Sequence, residues 1–509
     1  MDEKQVPFDT GFIPPEAPKE KHPFFPAEKR ETGLAWTLAL LGVILADMLL
    51  YGGFQLGFAL CSAASIVIST VYLLRSGAKL TCYTGALLGL SVIIAGSFLR
   101  SNDGFVKFVM AVFLLTGTNL GLCLLAGQNR RDPGSLLSLL DAGRAQFALG
   151  IGGMEKAWWG LARARRLQSA AGKKRSAVLT GLALSLPILA LLIFLLMRAD
   201  AAFEGLMDLL PEMDLGEPVL AVLIGLPMGF FLYTRAAALH RAPRTAQSLW
   251  KGKSMNPVTV TTVLAAVCAV YAVYLCSQLA YFVGGFSGIL PQEYTLAEYA
   301  RRGFFEMAWL SAINLGIIAL AMALSGKKVT GAIRHLCLFI GIVTLFLVMA
   351  ASAKMLLYID AYGLTRLRVL TEVIMIFLAL TTIFACLRLF LPKFSYMKAV
   401  ILCALILGAV TAWADVDTVV AAYNVSAYQS GRLETVDMRH LGSLSDGAVP
   451  YIARLTGDHD PEVAQKAADI LSRTQRQDAD LRGWNLAEAL ASPYLQEKAS
   501  YPIADFQQK

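Results

Sequence analysis

Three ionisable side chains in or beside long apolar runs are the residues best placed to do chemistry: Glu306, Lys354 and Glu372. An ionised side chain at the centre of a bilayer costs about 2.5–3.5 kcal/mol, so such a residue usually pairs with an opposite charge or lines a wet cavity. The sequence therefore predicts that Lys354 pairs with Glu306 or Glu372. A lysine held in this way is a candidate to gate a path or to bind an anionic group.

Charged and aromatic residues flank these three in the adjoining segments of the chain. Four of them are arginines, whose planar, forked donors suit phosphate or carboxylate. The complete predicted outer polar site consists of Glu298, Arg301, Arg302, Glu306, Lys354, Tyr358, Asp360, Arg366, Arg368 and Glu372. A purely structural explanation is also open, in which the charges snorkel to the lipid headgroups and the tyrosines form an aromatic belt.

The remainder of the chain supplies the helices that must position these residues. Of 509 residues, 56% are apolar and 16% are charged, against roughly 25% charged in soluble domains. A helix of about 20 apolar residues crosses a hydrocarbon core about 30 Å thick and satisfies its own backbone there. The sequence therefore predicts an all-α, polytopic membrane protein with about eleven transmembrane helices. The spans are predicted at 34–51, 54–74, 80–99, 105–126, 177–197, 218–234, 258–280, 303–325, 336–358, 369–391 and 396–414.

The distribution of lysine and arginine predicts the orientation in the membrane. Basic residues in short loops mark the cytoplasmic side. Alternate loops, beginning with the N-terminal segment, hold 28 basic residues, whereas the loops between them hold six. The N-terminus is therefore predicted to be cytoplasmic, and an odd number of spans then places the C-terminus outside. The expected location is a cell membrane, with the lipid bilayer as the surrounding partner.

Composition divides the chain into five parts. Residues 1–31 contain six prolines and are predicted to be a disordered cytoplasmic tail. Residues 32–126 are predicted to be a four-helix N-terminal membrane part, and 127–176 a basic amphipathic cytoplasmic loop on the membrane surface. Residues 177–414 are predicted to be a seven-helix membrane domain, and 415–509 an extracytoplasmic helical domain.

The C-terminal domain is predicted to contain five short helices. They are expected at 416–430, 434–445, 447–456, 461–475 and 481–492. Asp460 before Pro461 has the pattern of a helix N-cap followed by proline in the first turn. A small helical bundle is often a binding surface, so an extracytoplasmic protein or lipid is the expected partner. The alternative is a cap that packs on the membrane domain and has no partner.

Motifs of known catalytic and cofactor sites do not occur in the sequence. It contains neither G-x-x-x-x-G-K-[ST] nor H-E-x-x-H, and its five histidines are dispersed. No cofactor, metal site or catalytic residue is therefore predicted. The net charge of +8 comes from the loops of a membrane protein and not from a basic face with interleaved aromatics, so nucleic acid is not an expected partner.

Three stretches carry a family resemblance. They are E-Y-A-R-R-G-F-F-E at 298–306, L-Y-I-D-A-Y-G-L-T-R-L-R at 357–368, and A-Y-N-V at 422–425 followed by L-S-D-G-A-V-P at 444–450. The chain resembles bacterial multipass membrane proteins with a domain of unknown function, the 4153 and 4173 families, over roughly residues 175–500. The resemblance implies a class, a topology and a location in the bacterial cytoplasmic membrane, but no activity.

Three functions are consistent with these observations. The first is recognition of an extracytoplasmic ligand or partner by an envelope- or signalling-associated membrane protein. The second is secondary transport of a small solute or lipid. The third is a membrane enzyme that acts on a phosphate-bearing lipid or cell-wall precursor, with Glu306 or Glu372 as the acid or base and the arginines on phosphate.

Overall fold

The architecture was examined in a computed structural model. It describes residues 29–154 except 101 and 136, then 216–241, 255–286, 304–325, 329–474 and 481–499, with isolated helical positions between 181 and 196. Every regular element in these ranges is a helix. The segments 1–28 and 155–176, predicted as the disordered tail and as most of the amphipathic loop, lie outside the described residues.

Ten long helices form the apolar part of the described chain. In chain order they are α1 (Lys29–Gly52), α2 (Leu56–Arg75), α3 (Cys82–Ser97) and α4 (Gly104–Leu125), then, after the short α5 (Ser138–Arg144), α6 (Gly216–Arg241), α7 (Pro257–Phe286), α8 (Phe304–Ser325), α9 (Gly331–Tyr362), α10 (Arg366–Phe390) and α11 (Tyr396–Ala414). A π-helical segment, Ala145–Ile151, continues α5.

These helices coincide with ten of the eleven predicted spans, and the prediction of a multi-span helical protein is confirmed. Nine of the described helices are long and apolar enough to cross a membrane, and α3 is a shorter apolar helix of 16 residues. The predicted span 177–197 falls almost wholly outside the described residues. The total of eleven and the orientation therefore stay predictions.

Small residues bring α1 and α6 into close contact. A Cβ atom at Gly42, Gly225 or Gly229 would collide with the backbone of the opposite helix. Gly225 and Gly229 are four residues apart, the small-xxx-small spacing that lets membrane helices approach closely. Near the start of α1 and the end of α6, the Arg241 Nε donates to Glu31 Oε1 at 2.6 Å. The two helices are thereby fixed along their length.

Helix α11 lies between the N-terminal helices and the helices α7 to α10. It contacts α3 and α4 on one side and α10 on the other. Helix α9 in turn contacts α7, α8 and α10, so the ends of α8, α9 and α10 that carry the predicted site are held side by side.

Five short α-helices occur in the part of the C-terminal domain that the structure describes, and the first follows α11 after a single residue, Asp415. The helices are α12 (Val416–Gln429), α13 (Met438–Leu441), α14 (Val449–Arg454), α15 (Pro461–Arg473) and α16 (Leu486–Ala499). The predicted capping by Asp460 is confirmed, since its carboxylate accepts from Glu462 N at 2.9 Å. The predicted helix 434–445 is wrong in extent: α13 covers four residues, because Asp437 caps it at one end and the chain leaves the helix at Gly442.

Candidate functional site

The predicted site divides between described and undescribed parts of the chain. Glu298, Arg301 and Arg302 lie outside the described residues. The other seven lie at neighbouring ends of three helices. Glu306 is in the first turn of α8, and Lys354, Tyr358 and Asp360 are in the last three turns of α9. Arg366, Arg368 and Glu372 are in the first two turns of α10.

Arg366 binds two carboxylates from different parts of the chain. Its guanidinium forms a fork with Asp417 of α12, through Nε and through Nη2, which lies 2.6 Å from Oδ2. Its Nη1 lies 3.3 Å from Oδ2 of Asp103, the N-cap of α4, and Nη2 also donates to the Ser443 carbonyl at 3.3 Å. One side chain therefore connects α10, the start of α4 and the C-terminal domain.

The Asp417 carboxylate is adapted to this pairing. Its side chain is fully buried, and its Oδ2 also accepts from the backbone N–H of Ser445 at 2.7 Å. Burial alone would raise the pKa of Asp417, but hydrogen bonds from Arg366 and Ser445, together with the guanidinium charge, outweigh it and hold the pKa below its ordinary value. Asp417 is therefore ionised at neutral pH.

Arg368 closes the turn between α9 and α10. Its Nη1 donates to the carbonyls of Tyr362, at 3.2 Å, and Gly363. The guanidinium also lies over the Tyr358 ring, 4.0 Å from the centroid, a cation–π contact. The arginine thus stabilises carbonyls at the end of α9, which would otherwise lack partners.

Asn424 of α12 holds the same turn from the opposite side. Its Oδ1 accepts from Leu364 N at 2.7 Å, and its Nδ2 donates to the Leu364 carbonyl at 2.8 Å. Gly363, with φ of 76°, would place a Cβ atom 2.7 Å from Asn424 Oδ1, so only glycine fits. The motifs at 357–368 and 422–425, distant in sequence, therefore form one contact.

A second chain of polar side chains connects the loops of the N-terminal helices to the C-terminal domain. Asn102 donates to Asp446 at 3.1 Å and accepts from Gln55 at 2.7 Å and from Lys107 at 3.1 Å. Gln55 accepts in turn from Asn485 at 2.7 Å. These residues join the α1–α2 loop, the α3–α4 loop and two parts of the C-terminal domain. We call the contacts of Arg366, Arg368 and Asn424, together with this chain, the polar junction.

Arg482 extends the polar junction to α1 and α6. It lies 3.4 Å from Asp47 and 2.8 Å from Glu217. The adjoining backbone also pairs with membrane-domain loops: Leu56 N donates to the Trp484 carbonyl at 3.3 Å, and Leu486 N donates to the Leu99 carbonyl at 2.8 Å. The segment R-G-W-N at 482–485 is thus a docking element.

The intramembrane charges of α8, α9 and α10 form a separate group. The Glu306 carboxylate acts electrostatically on the Lys354 ammonium, whereas Glu372 lies in the second turn of α10. Deeper in the bundle, Tyr271 of α7 donates to Asn314 of α8 at 2.6 Å, and Asn314 donates to Thr344 of α9 at 3.0 Å.

Several junction residues were not predicted as site residues: Asp103, Asp417, Asn424, Asn102 and Asp446. A signal existed for some of them. Asp103 stands directly before an apolar run and has the position of an N-cap, and Asn424 lies in a stretch that carries the family resemblance. Asp417 had no such signal, because its role depends on α12 folding back on the start of α10.

The polar junction positions groups and offers few donors to a ligand. Arg366 and Arg368 are occupied by carboxylates, carbonyls and an aromatic ring, so neither presents an open fork for a phosphate. No group of histidine, cysteine and acidic side chains suited to a metal occurs among the residues that the structure describes. Asp360 is exposed and takes part in none of the described ion pairs.

Comparison with known proteins gives one match. The family model described as "Domain of unknown function (DUF4153)" matches residues 82–455, more than half of the chain. No curated protein and no solved structure matches the chain. The matched range includes both halves of the Arg366–Asp417 contact and of the Leu364–Asn424 contact.

Proposed function

The chain belongs to the DUF4153 family, and from that premise we propose that it is a multi-pass membrane protein that recognises an extracytoplasmic partner through its C-terminal domain. The polar junction couples that domain to the membrane helices. In this proposal the junction transmits the bound state of the domain to α4, α9 and α10.

The observation that carries the proposal is the double pairing of Arg366. A fork to the fully buried Asp417 and a second contact to Asp103 hold the domain against two helices at once. Removing one partner of such a pair costs about 1.5–3 kcal/mol, the value of hydrogen bonds to a charged group. A movement of the C-terminal domain therefore also moves the ends of α4 and α10, as signal transmission requires.

Exposed apolar residues of α16 supply a surface for a partner. Leu490 and Tyr494 are 50% and 41% exposed and lie one helical turn apart. Aromatic residues are enriched in protein interfaces, so Tyr494 is the proposed anchor and Leu490 extends its apolar surface. They project from the domain that is predicted to lie outside the cell.

The enzyme alternative receives less support. It relies on arginines that bind substrate phosphate, and Arg366 and Arg368 are already engaged with protein groups. Arg301 and Arg302 belong to the segment outside the described residues.

Site-specific photo-crosslinking in intact cells tests the recognition proposal. A crosslinker at Tyr494 is expected to give a discrete adduct, because the exposed face of α16 would contact the partner. The matched control is Gln465, which is exposed on α15 of the same domain. An adduct pattern that is the same at 465 and 494, or no adduct at 494, would contradict the proposal.

Secondary transport is the second candidate, favoured by the charges within the helices. Lys354 beside Glu306, followed inward by Tyr271, Asn314 and Thr344, forms a series of polar groups along α7, α8 and α9. Such groups mark ion and substrate pathways in many transporters. Solute uptake into proteoliposomes that is lost in Lys354→Ala but kept in Arg334→Ala would support this function over recognition.

A further inference from the structure

A cavity lies at the ends of α1, α2 and α6 opposite the polar junction. Its volume is about 820 Å³, within the range of roughly 300–1,000 Å³ that is usual for small-molecule sites. It lies outside every contact of the polar junction. Nothing in the proposed recognition function requires it.

The lining of this cavity changes from polar to apolar along the helices. Val67, Val71 and Arg75 recur at intervals of four residues and lie along one side of α2. With a rise of 1.5 Å per residue, Val67 is about 12 Å from Arg75 along the helix. Leu34 of α1 adds to the apolar part, and His240 of α6 adds to the polar part. The cavity is therefore amphipathic along the direction of the helices.

The polar end carries an excess of positive charge. The carboxylate of Glu31, also in the lining, is already bound by Arg241 and by the Tyr72 hydroxyl at 3.2 Å. Among the described residues no carboxylate pairs with Arg75. The His240 ring stands edge-on to Tyr72, with 5.8 Å between centroids, which fixes its position at the same end. An anionic ligand group is therefore electrostatically complementary to the polar end of the cavity.

The depth of the cavity matches that of a lipid headgroup. Arg75 is the last residue of α2, so it lies where the helix leaves the apolar layer. The side chains further along α2 are open to the bilayer, with Val67 50% and Val71 38% exposed. A ligand can therefore enter sideways from one leaflet with its polar end at the membrane surface.

We propose that this cavity binds an anionic phospholipid from the leaflet on the α2 C-terminal side. The phosphate contacts Arg75 and the imidazole of His240. One acyl chain runs along Val71, Val67 and Leu34. Because both halves of the lining contribute, the site distinguishes such a lipid from a zwitterionic lipid and from inorganic phosphate.

Native mass spectrometry of the full-length protein in mild detergent tests this inference. The probe is a phosphatidylglycerol with palmitoyl and oleoyl chains, and the phosphatidylcholine with the same chains is the reference. The wild type is expected to bind one phosphatidylglycerol saturably. Arg75→Gln should weaken that binding about tenfold, the loss of one charge-assisted hydrogen bond.

Two further variants separate the two halves of the site. Val67→Trp fills the apolar part without changing charge and is expected to weaken phosphatidylglycerol binding as well. Lys79→Gln removes a charge from the adjacent loop outside the lining and should bind as the wild type does. All variants must keep the wild-type gel-filtration profile and melting temperature.

Three results would overturn the inference. One is unchanged phosphatidylglycerol binding in Arg75→Gln and another is unchanged binding in Val67→Trp. The third is displacement of the lipid by millimolar inorganic phosphate, which would show that the headgroup alone is bound.

Discussion

Arg366 and its neighbours show how single side chains join distant parts of this protein. Two carboxylates, Asp103 and Asp417, are 314 positions apart in sequence and bind the same guanidinium. The charge of Arg366 is thereby satisfied inside the protein, although its sequence context equally suits phosphate binding. The Arg366 side chain therefore links the membrane helices to the C-terminal domain. Its contribution to the free energy that holds the domain in place can be measured.

Loss of the Asp417 carboxylate should loosen the C-terminal domain. In Asp417→Ala, Arg366 loses its buried fork, and the free energy of opening the domain should fall by roughly 2 kcal/mol, the value of hydrogen bonds to a charged group. Hydrogen exchange of α12 and α14 should then be about thirtyfold faster. Asp469→Ala, on the exposed side of α15, is the matched control and should exchange as the wild type does. Equal hydrogen-exchange rates in the two variants would show that the Arg366–Asp417 pair does not hold the C-terminal domain in place.

A fall in pH should weaken the attachment of the C-terminal domain through protonation of His440. Burial lowers the pKa of His440, the charges of Arg366 and Arg368 lower it further, and Asp437 and Asp417 oppose them. A histidine with a lowered folded pKa favours its neutral form, so the unfolded state takes up the proton first and stability is lost as the pH falls below about 6.5. At lower pH still, below about 4, protonation of Asp417 should remove its contribution as well.

Thermal unfolding of the full-length protein between pH 8 and pH 5 measures this effect. The melting temperature of the wild type should decline toward pH 5, and that of His440→Gln should decline less. Parallel curves for the two proteins would show that His440 does not contribute.

The turn between α9 and α10 is the element on which the C-terminal domain rests. Gly363, Leu364 and Thr365 connect two membrane helices, and Asn424 binds the middle residue through both backbone groups. The turn is therefore formed jointly by the membrane domain and by α12.

Two glycines with similar φ values allow the docking of the α9–α10 turn to be tested. Gly363 and Gly431 have φ values of 76° and 73°, but only Gly363 has a neighbour within reach of a Cβ atom. Both alanine variants incur the strain of a positive φ. Gly363→Ala should lose roughly 1 kcal/mol more, because Asn424 must also move. Opening free energies from hydrogen exchange measure the difference, and equal losses would contradict the docking.

The crossing of α1 and α6 predicts a second result at this scale. A large side chain at Gly229 must force the two helices apart, and overpacking of this kind costs about 1–3 kcal/mol. Gly229→Leu should therefore lower the melting temperature of the purified protein by several degrees. The control is Gly89→Leu on α3, where a Cβ atom meets nothing within 4 Å. A stable Gly229→Leu protein would contradict the close crossing.

Apolar run length predicts most of the helices from the sequence. The run at 396–414 predicts α11 to the residue, because a hydrocarbon core of fixed thickness selects apolar runs of this length. It does not predict helix partners, so the α1–α6 crossing was missed although Gly225-x-x-x-Gly229 is visible in the sequence. The polar junction was missed for a related reason: Arg366 has the chemistry of a phosphate ligand, and only the fold reveals that Asp417 reaches it first.

At the scale of the whole molecule, the docked loops define one face of the protein. The α1–α2, α3–α4 and α9–α10 loops, the start of α6 and the C-terminal domain all meet there. Each of these segments is on the side that the basic residues predict to be extracytoplasmic. The proposed lipid site is at the opposite ends of α2 and α6. The recognition proposal therefore depends on which face is outside the cell.

Labelling of single cysteines in intact cells tests this point most directly. In a variant without the eight native cysteines, Gln465→Cys reports on the C-terminal domain and Lys79→Cys on the α2–α3 loop, and both positions are exposed. A membrane-impermeant maleimide should label position 465 in intact cells and position 79 only after the membrane is opened. Labelling of position 79 in intact cells, with 465 protected until permeabilisation, would reverse the orientation and contradict extracytoplasmic recognition.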